Sequence, residues 1–184
     1  MLKKIEGLLK SKNRVDIELA FQLSLSSGIS LWPIERDLKD IFYYAELYPN
    51  YGADNIPLGQ LCLAVQQIIK IKFHQKDIKL IPERIGYFGS LNALSILECP
   101  LSELPKSLKN LEALKYLTLS KTNIKSIDDI LEQSQIESLT LMDNKTLQIK
   151  PESIYRSKLK KISLCKATAN YLSLDESKIA LKII

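Results

Sequence analysis

Few residues in this chain could carry out a reaction. There is one histidine, His74, and there are three cysteines, Cys62, Cys99 and Cys165. A thiolate beside an imidazole makes a nucleophile and base pair, which requires the two groups within about 3 Å. The Cys and His positions match no metal-ligand spacing, and no glycine-rich run is present to cradle a phosphate. Three widely spaced cysteines, an odd number, fit reduced thiols better than a disulfide framework. No cofactor and no metal is expected.

The other available chemistry is charge. The chain holds 26 Lys/Arg against 21 Asp/Glu, a formal net charge of +5. Residues 1–56 carry seven Lys/Arg against eight Asp/Glu, and residues 57–184 the remaining 19 against 13, so the basic character belongs to the second part. Lys158, Lys160, Lys161 and Lys166 give the late segment a tilt that suits nucleic acid or another polyanion, the alternative reading of function. Against it, Glu98, Glu137 and Asp143 interrupt the field, Arg is scarce, and no column of aromatics is available to stack bases. Nucleic acid is therefore not the expected partner.

What positions these residues is a fixed spacing. Ile71, Leu94 and Leu117 lie 23 residues apart, as do Phe73, Ile96 and Leu119; the next steps, to Leu139 and Leu141, are 22, and those to Ile162 and Leu164 are 23. The runs are Ile68-x-x-Ile71-x-Phe73, Leu91-x-x-Leu94-x-Ile96, Leu114-x-x-Leu117-x-Leu119, Ile136-x-x-Leu139-x-Leu141 and Leu159-x-x-Ile162-x-Leu164. An apolar residue follows each of the first four, at Ile78, Leu101, Ile124 and Leu147. Pro82 and Pro105 follow apolar residues, with Pro151 in the equivalent later place, and they open a return segment, where Pro at a first helical position loses no needed donor.

Five copies in register resemble the leucine-rich-repeat pattern, whose unit is roughly 20–29 residues and whose conserved run is a short strand. The resemblance covers about residues 64–184. It implies an α/β fold, a leucine-rich-repeat solenoid with a curved parallel sheet of about five to six repeats. At the position where the family carries Asn or Cys, this chain has Lys76, Cys99, Thr122, Asn144 and Ala167. Only Cys99 and Asn144 conform, Thr122 can substitute in part through its hydroxyl, and looser turns are expected around Lys76 and Ala167.

A repeat cannot bury its apolar face alone, so both ends of a stack need covers. Residues 1–63 read as an all-helical N-terminal cap and 64–184 as the repeats, one continuous domain. Leu2, Ile5, Leu8 and Leu9 share a first helical face. Asn13, with Asp16 three later, starts a second helix whose rows Val15, Leu19, Leu23 and Ile17, Phe21, Leu25 are expected to be well buried, with Gly28 as its stop. Pro33 opens a third helix with Ile34, Leu38, Ile41, Ala45 and Tyr48 on one stripe, closed by a turn over 48–52. A fourth runs from about Pro57 into the first strand. The segment Val15 to Ile29 is similar to N-terminal segments of bacterial repeat proteins, so the resemblance is to bacterial-type cytoplasmic members with a helical cap. At the far end Leu181-x-x-Ile184 starts a sixth strand with no polar cap after it, which suggests self-association through the C-terminal end.

Successive strand side chains face opposite ways, so the variable positions line the open face, where the resemblance implies that partners are held. The central column is Lys72, Ser95, Thr118, Thr140 and Ser163. Beside it run His74, Leu97, Ser120, Met142, Cys165 and, on the other side, Lys70, Ala93, Tyr116, Ser138, Lys161. The flanking columns Gln75, Glu98, Lys121, Asp143, Lys166 and Ile69, Asn92, Lys115, Glu137, Lys160 alternate in charge, which suits mutual pairing or recognition of a charged protein. The expected partner-binding residues are Lys72, His74, Leu97, Tyr116, Thr118, Lys121, Thr140, Met142, Asp143, Lys161 and Lys166, with Leu97, Tyr116 and Met142 as an exposed apolar cluster. Phe42, Tyr43, Tyr44, Tyr48 and Tyr51 form a second aromatic group, read as packing of the cap.

His74 and Cys165 fall in one column but four strands apart, roughly 19 Å at about 4.8 Å per strand, too far for a dyad. The chain is therefore read as a non-catalytic protein-binding module, not an enzyme. Its hydrophobic fraction of 46% and charged fraction of 26% are those of a globular protein. It has no run of about 18 apolar residues, and its first residues have no apolar core for a signal peptide, so a cytoplasmic chain without membrane contact is expected.

Overall fold

The computed structural model describes residues 1–47 and 56–165, together with the backbone of 180–183. Four helices precede the sheet: α1 Leu2–Leu9, α2 Arg14–Ser27, α3 Trp32–Tyr44 and α4 Leu58–Val65. Six strands then lie in one sheet in chain order, β1 Lys70–His74, β2 Ala93–Leu97, β3 Tyr116–Ser120, β4 Ser138–Met142, β5 Lys161–Leu164 and β6 Ala180–Ile183. All neighbouring strands are parallel. The chain returns between strands through 3-10 turns at Glu83–Tyr87 and Lys106–Asn110, then through the short helices α5 Asp128–Gln133 and α6 Pro151–Arg156. Pro82 and Pro105 each stand one residue before a 3-10 turn, and Pro151 is the first residue of α6.

The register agrees with the spacing. Ile71, Leu94, Leu117, Leu139 and Ile162 sit side by side, as do Phe73, Ile96, Leu119, Leu141 and Leu164, and all ten are buried. This α/β arrangement of parallel strands and return segments fits the leucine-rich-repeat pattern. The sixth strand is present, but it sets Leu181 beside Ile162, an offset of 19 residues where the earlier steps are 22 or 23.

The ends of β1 to β4 use the same turn. Gln75, Glu98, Lys121 and Asp143 all have positive φ, between 51° and 54°. The looser turn expected at Lys76 is therefore not found, because Gln75 before it adopts the same left-handed conformation as its counterparts. Ala167 lies outside the described residues. Asn144 is buried and binds back to the preceding turn: its Oδ1 accepts from Thr122 N at 3.0 Å and from Thr122 Oγ1 at 2.8 Å, while its Nδ2 donates to Leu119 O at 2.8 Å. The Thr122 hydroxyl is thus spent on Asn144 and does not replace an Asn of its own. Cys99 is buried, with its thiol donating to Leu97 O at 3.3 Å.

The return segments also hold one another. Glu83 accepts from Lys106 N at 2.9 Å and Ser107 N at 2.7 Å, and Asp128 accepts from Lys150 N at 3.0 Å. Burial raises the Glu83 carboxyl's pKa, but the two backbone N–H donors outweigh it and the net shift is downward. A Cβ added at Gly86 would lie 2.8 Å from Ser107 Cβ, so these turns approach too closely for a side chain there.

In the helical part, Asn13 accepts from Val15 N, and Gly28 ends α2 with φ of 66°. The buried face of α2 differs from the expected one: Ile17, Ala20 and Ser24 are inward, whereas Val15 is 71% and Leu25 84% exposed and Leu19 also faces out. Gly59 of α4 lies against Phe21 and Ile17, within 3.5 and 3.9 Å of where its Cβ would be. In α1, Ile5 and Leu9 are buried and Leu2 is exposed. The α3 stripe of Ile34, Leu38, Ile41 and Ala45 is buried as expected, joined by Phe42, whose ring lies 5.9 Å from that of Phe88. Tyr48 and the turn over 48–52 fall outside the described residues.

These burials set a contrast in stability. Leu117→Ala, which empties a fully buried site, is expected to cost about 2–5 kcal/mol in urea unfolding, and Val15→Ala under about 0.5 kcal/mol. Equal losses would place Val15 inside.

Candidate functional site

Within β1 to β5 the alternation of side chains divides each strand in two. Inward residues form the apolar layer just described, and the outward ones form a continuous polar sheet face. Lys72, His74 and Lys161 on this face are exposed, Thr118, Thr140, Leu97 and Met142 half-buried, and Tyr116 is 51% exposed. Lys166 lies outside the described residues. Ser120 and Ser163, in the same columns, are buried.

The register spreads the three apolar candidates apart. Leu97 and Met142 flank Ser120 on either side, while Tyr116 stands at the opposite end of β3 between Ala93 and Ser138. Four residues of strand separate Tyr116 from Ser120, about 13 Å. Tyr116 is thus a separate contact point on the face and not part of a cluster with the other two.

The flanking columns pair among themselves. Glu98 accepts from Gln75 Nε2 at 3.0 Å and from Lys121 Nζ at 3.0 Å. Glu137 bridges Lys160 at 2.6 Å and Lys115 at 3.1 Å. The Gln75 amide and then Lys121 lower the Glu98 pKa; Lys160 and then Lys115 lower that of Glu137; and Glu98 raises that of Lys121. Asp143 N donates to Cys165 Sγ at 3.3 Å, and that thiol lies 3.6 Å from Asp143 Oδ1. Lys158 donates to Gln135. Of these late lysines, Lys160 is charge-paired with Glu137, whereas Gln135 is neutral and leaves the charge of Lys158 in place.

His74 and Cys165 are separated by four rungs, so the structure does not bring them together. Cys62 and Cys99 are buried, and burial pushes the Cys62 thiol up to about 12. Among the described residues no group of three or more His, Cys, Asp or Glu could hold a metal ion, and no helix is long and apolar enough to cross a membrane. Of the aromatic group, Phe42 is in the core, Tyr43 is 73% exposed and packs edge-on against Tyr44 at 5.3 Å, and Tyr51 lies outside the described residues.

One feature escaped the sequence. Lys76 forms an ion pair with Glu46, thirty residues earlier and just past α3, which lowers the Glu46 pKa and raises that of Lys76. No pattern links the two positions; only the approach of the α3 end to β1 does.

The carboxylate ladders carry a pH dependence. Glu98 and Glu137 sit below the ordinary value near 4.5, so their contribution is complete above that pH and is lost as pH falls through the lower folded values. The urea midpoint should therefore decline below about pH 4.5, and less steeply in a Glu98→Gln, Glu137→Gln variant. Matching declines would mean that these pairs add nothing to stability.

No family model and no curated protein matches this sequence. Among solved structures, the crystal structure of an internalin (inlF) from Listeria monocytogenes is similar, with 14% sequence identity and a TM-score of 0.41. The alignment covers 69% of this chain and 48% of that one, so this chain spans about half the length of that internalin.

Proposed function

We propose that the chain is a leucine-rich-repeat solenoid, closed at its start by the helices of residues 1–63, and that it acts as a non-catalytic module holding another protein on its open sheet face. The observation that carries this reading is the exact parity of β1 to β5. Every inward position is apolar and buried, and the outward positions form a rigid, mixed polar surface without a reactive pair among them. Such a surface recognises by shape and hydrogen bonding. Thr118 and Thr140 form its centre with Lys72 at one end, while Tyr116, Leu97 and Met142 supply separate apolar contacts and His74 and Lys161 the margins. Lys121 and Asp143, with Lys166 in the same column, make up the charged flank.

The paired flanks favour a protein over a polyanion, because both signs stand along each border of the sheet. Charge complementarity of this type sets specificity and encounter rate more than raw affinity. Self-association through the C-terminal end belongs to the same reading, since among the described residues β6 is the edge strand on that side of the sheet.

The test is a comparative capture from lysate with the wild-type chain and a Tyr116→Ala, Met142→Ala, Lys121→Glu variant. At least one partner should be retained by the wild type and lost by the variant, with matched far-ultraviolet circular dichroism showing both folded. If every captured protein binds both forms equally, the open face is not the binding surface.

A further inference from the structure

Among the described residues, no strand lies beside the outer edge of β1. Ile69 O accepts from Asn92 N and Ala93 N at 2.8 and 3.1 Å, and Gln75 N donates to Leu97 O at 3.0 Å. Odd-numbered residues of this run therefore turn their backbone groups toward β2, and Lys70, Lys72 and His74 turn theirs the other way. β1 is the end strand of the sheet, and among the described residues no backbone hydrogen bond reaches those three from the outer side.

The same three residues expose their side chains on the open face. Lys70 and Lys72 stand about 6.6 Å apart along it. Their neighbours on β2, Ala93 and Ser95, carry no charge, and neither lysine has an ion-pair partner among the described residues. Beside the edge lies a recess of about 430 Å³, with Tyr44, Ala45 and Glu46 on the helical side and Lys72, His74 and Lys76 on the sheet side. The chain already places one carboxylate here, that of Glu46, which is bound to Lys76 and also lowered in pKa by His74 and Lys72.

We propose that the β1 edge, with this recess, is a docking site for an extended acidic segment of a partner protein, which adds to the sheet as a further strand. Edge addition supplies main-chain hydrogen bonds, and alternate side chains supply specificity. On such a strand every second side chain shares the open face with Lys70, Lys72 and His74, which selects carboxylates. The others turn to the opposite face of the strand. A second copy of this edge is disfavoured, because pairing it with itself would set lysine against lysine, the usual protection of a natural edge strand. The site goes beyond the open-face reading and shares with it only Lys72 and His74.

The probe is a fluorescein-labelled peptide of about eight residues alternating glutamate and valine, titrated by fluorescence polarisation. The full chain should bind it in low salt. Binding should weaken about tenfold or more with Lys70→Glu, Lys72→Glu, and by a similar factor when alternate peptide amides are N-methylated so that they cannot donate. Tyr116→Ala, Met142→Ala should bind like wild type, so failure of the open-face reading leaves this result standing. Circular dichroism confirms that each variant is folded. Equal affinity for the N-methylated peptide would exclude strand addition, and equal affinity of the charge variant would exclude acidic recognition. No peptide binding, with a dimer in light scattering that Lys70→Glu, Lys72→Glu abolishes, would assign the edge to a second copy and overturn the proposal.

Discussion

Everything in the repeat part depends on keeping one register from rung to rung. A slip of a single residue would turn every spine side chain outward, since side chains alternate with a period of two. The chain meets this demand by ending β1 to β4 at the same point with a residue in the left-handed region, at Gln75, Glu98, Lys121 and Asp143. For residues other than glycine that conformation costs roughly 1–2 kcal/mol. Each rung also buries two spine side chains, such as Leu117 and Leu119, each worth about 1.5–3 kcal/mol. Burial therefore outweighs the turn, and the turn persists without a glycine.

The same register decides where the charges go. Glu98 meets Lys121 one rung on, and Glu137 meets Lys115 on one side and Lys160 on the other, because positions 22 or 23 apart are neighbours in space. Exposed pairs of this type contribute little to stability individually. Their geometric effect is to set long side chains of both signs side by side along the borders of the sheet.

The spine was readable because it is a translation of one pattern along the chain. Ile71, Leu94, Leu117, Leu139 and Ile162 pair as their offsets require, and the capping of α2 by Asn13 and its stop at Gly28 follow from local chemistry. Helix α2 itself was misread. It carries apolar residues on several sides, so no periodicity selects the inward face, which is that of Ile17, Ala20 and Ser24. The turn at Lys76 was misread for a related reason: its geometry is set by Gln75 and by the rungs on the sheet, not by the residue whose side chain departs from the pattern. Of the candidate face, the columns were readable and the contacts were not. The grouping of Leu97, Tyr116 and Met142 ignored that Tyr116 lies at the other end of its strand.

The end of a sheet is where this logic changes. In the interior, a charged residue can find its counterpart on the next rung in either direction, as Glu137 does, although Lys161 stands between Ser138 and Ala180. At β1 there is a rung on one side alone, and the residues across from Lys70 and Lys72 are Ala93 and Ser95. The lysines are left unmatched, and the backbone groups of the same residues also face outward. The one acid that does reach this corner, Glu46, comes from the helices and not from a rung, and it binds Lys76 beyond the strand end. Among the described residues, unmatched charge and unmatched backbone groups thus coincide at β1, the end strand of the sheet.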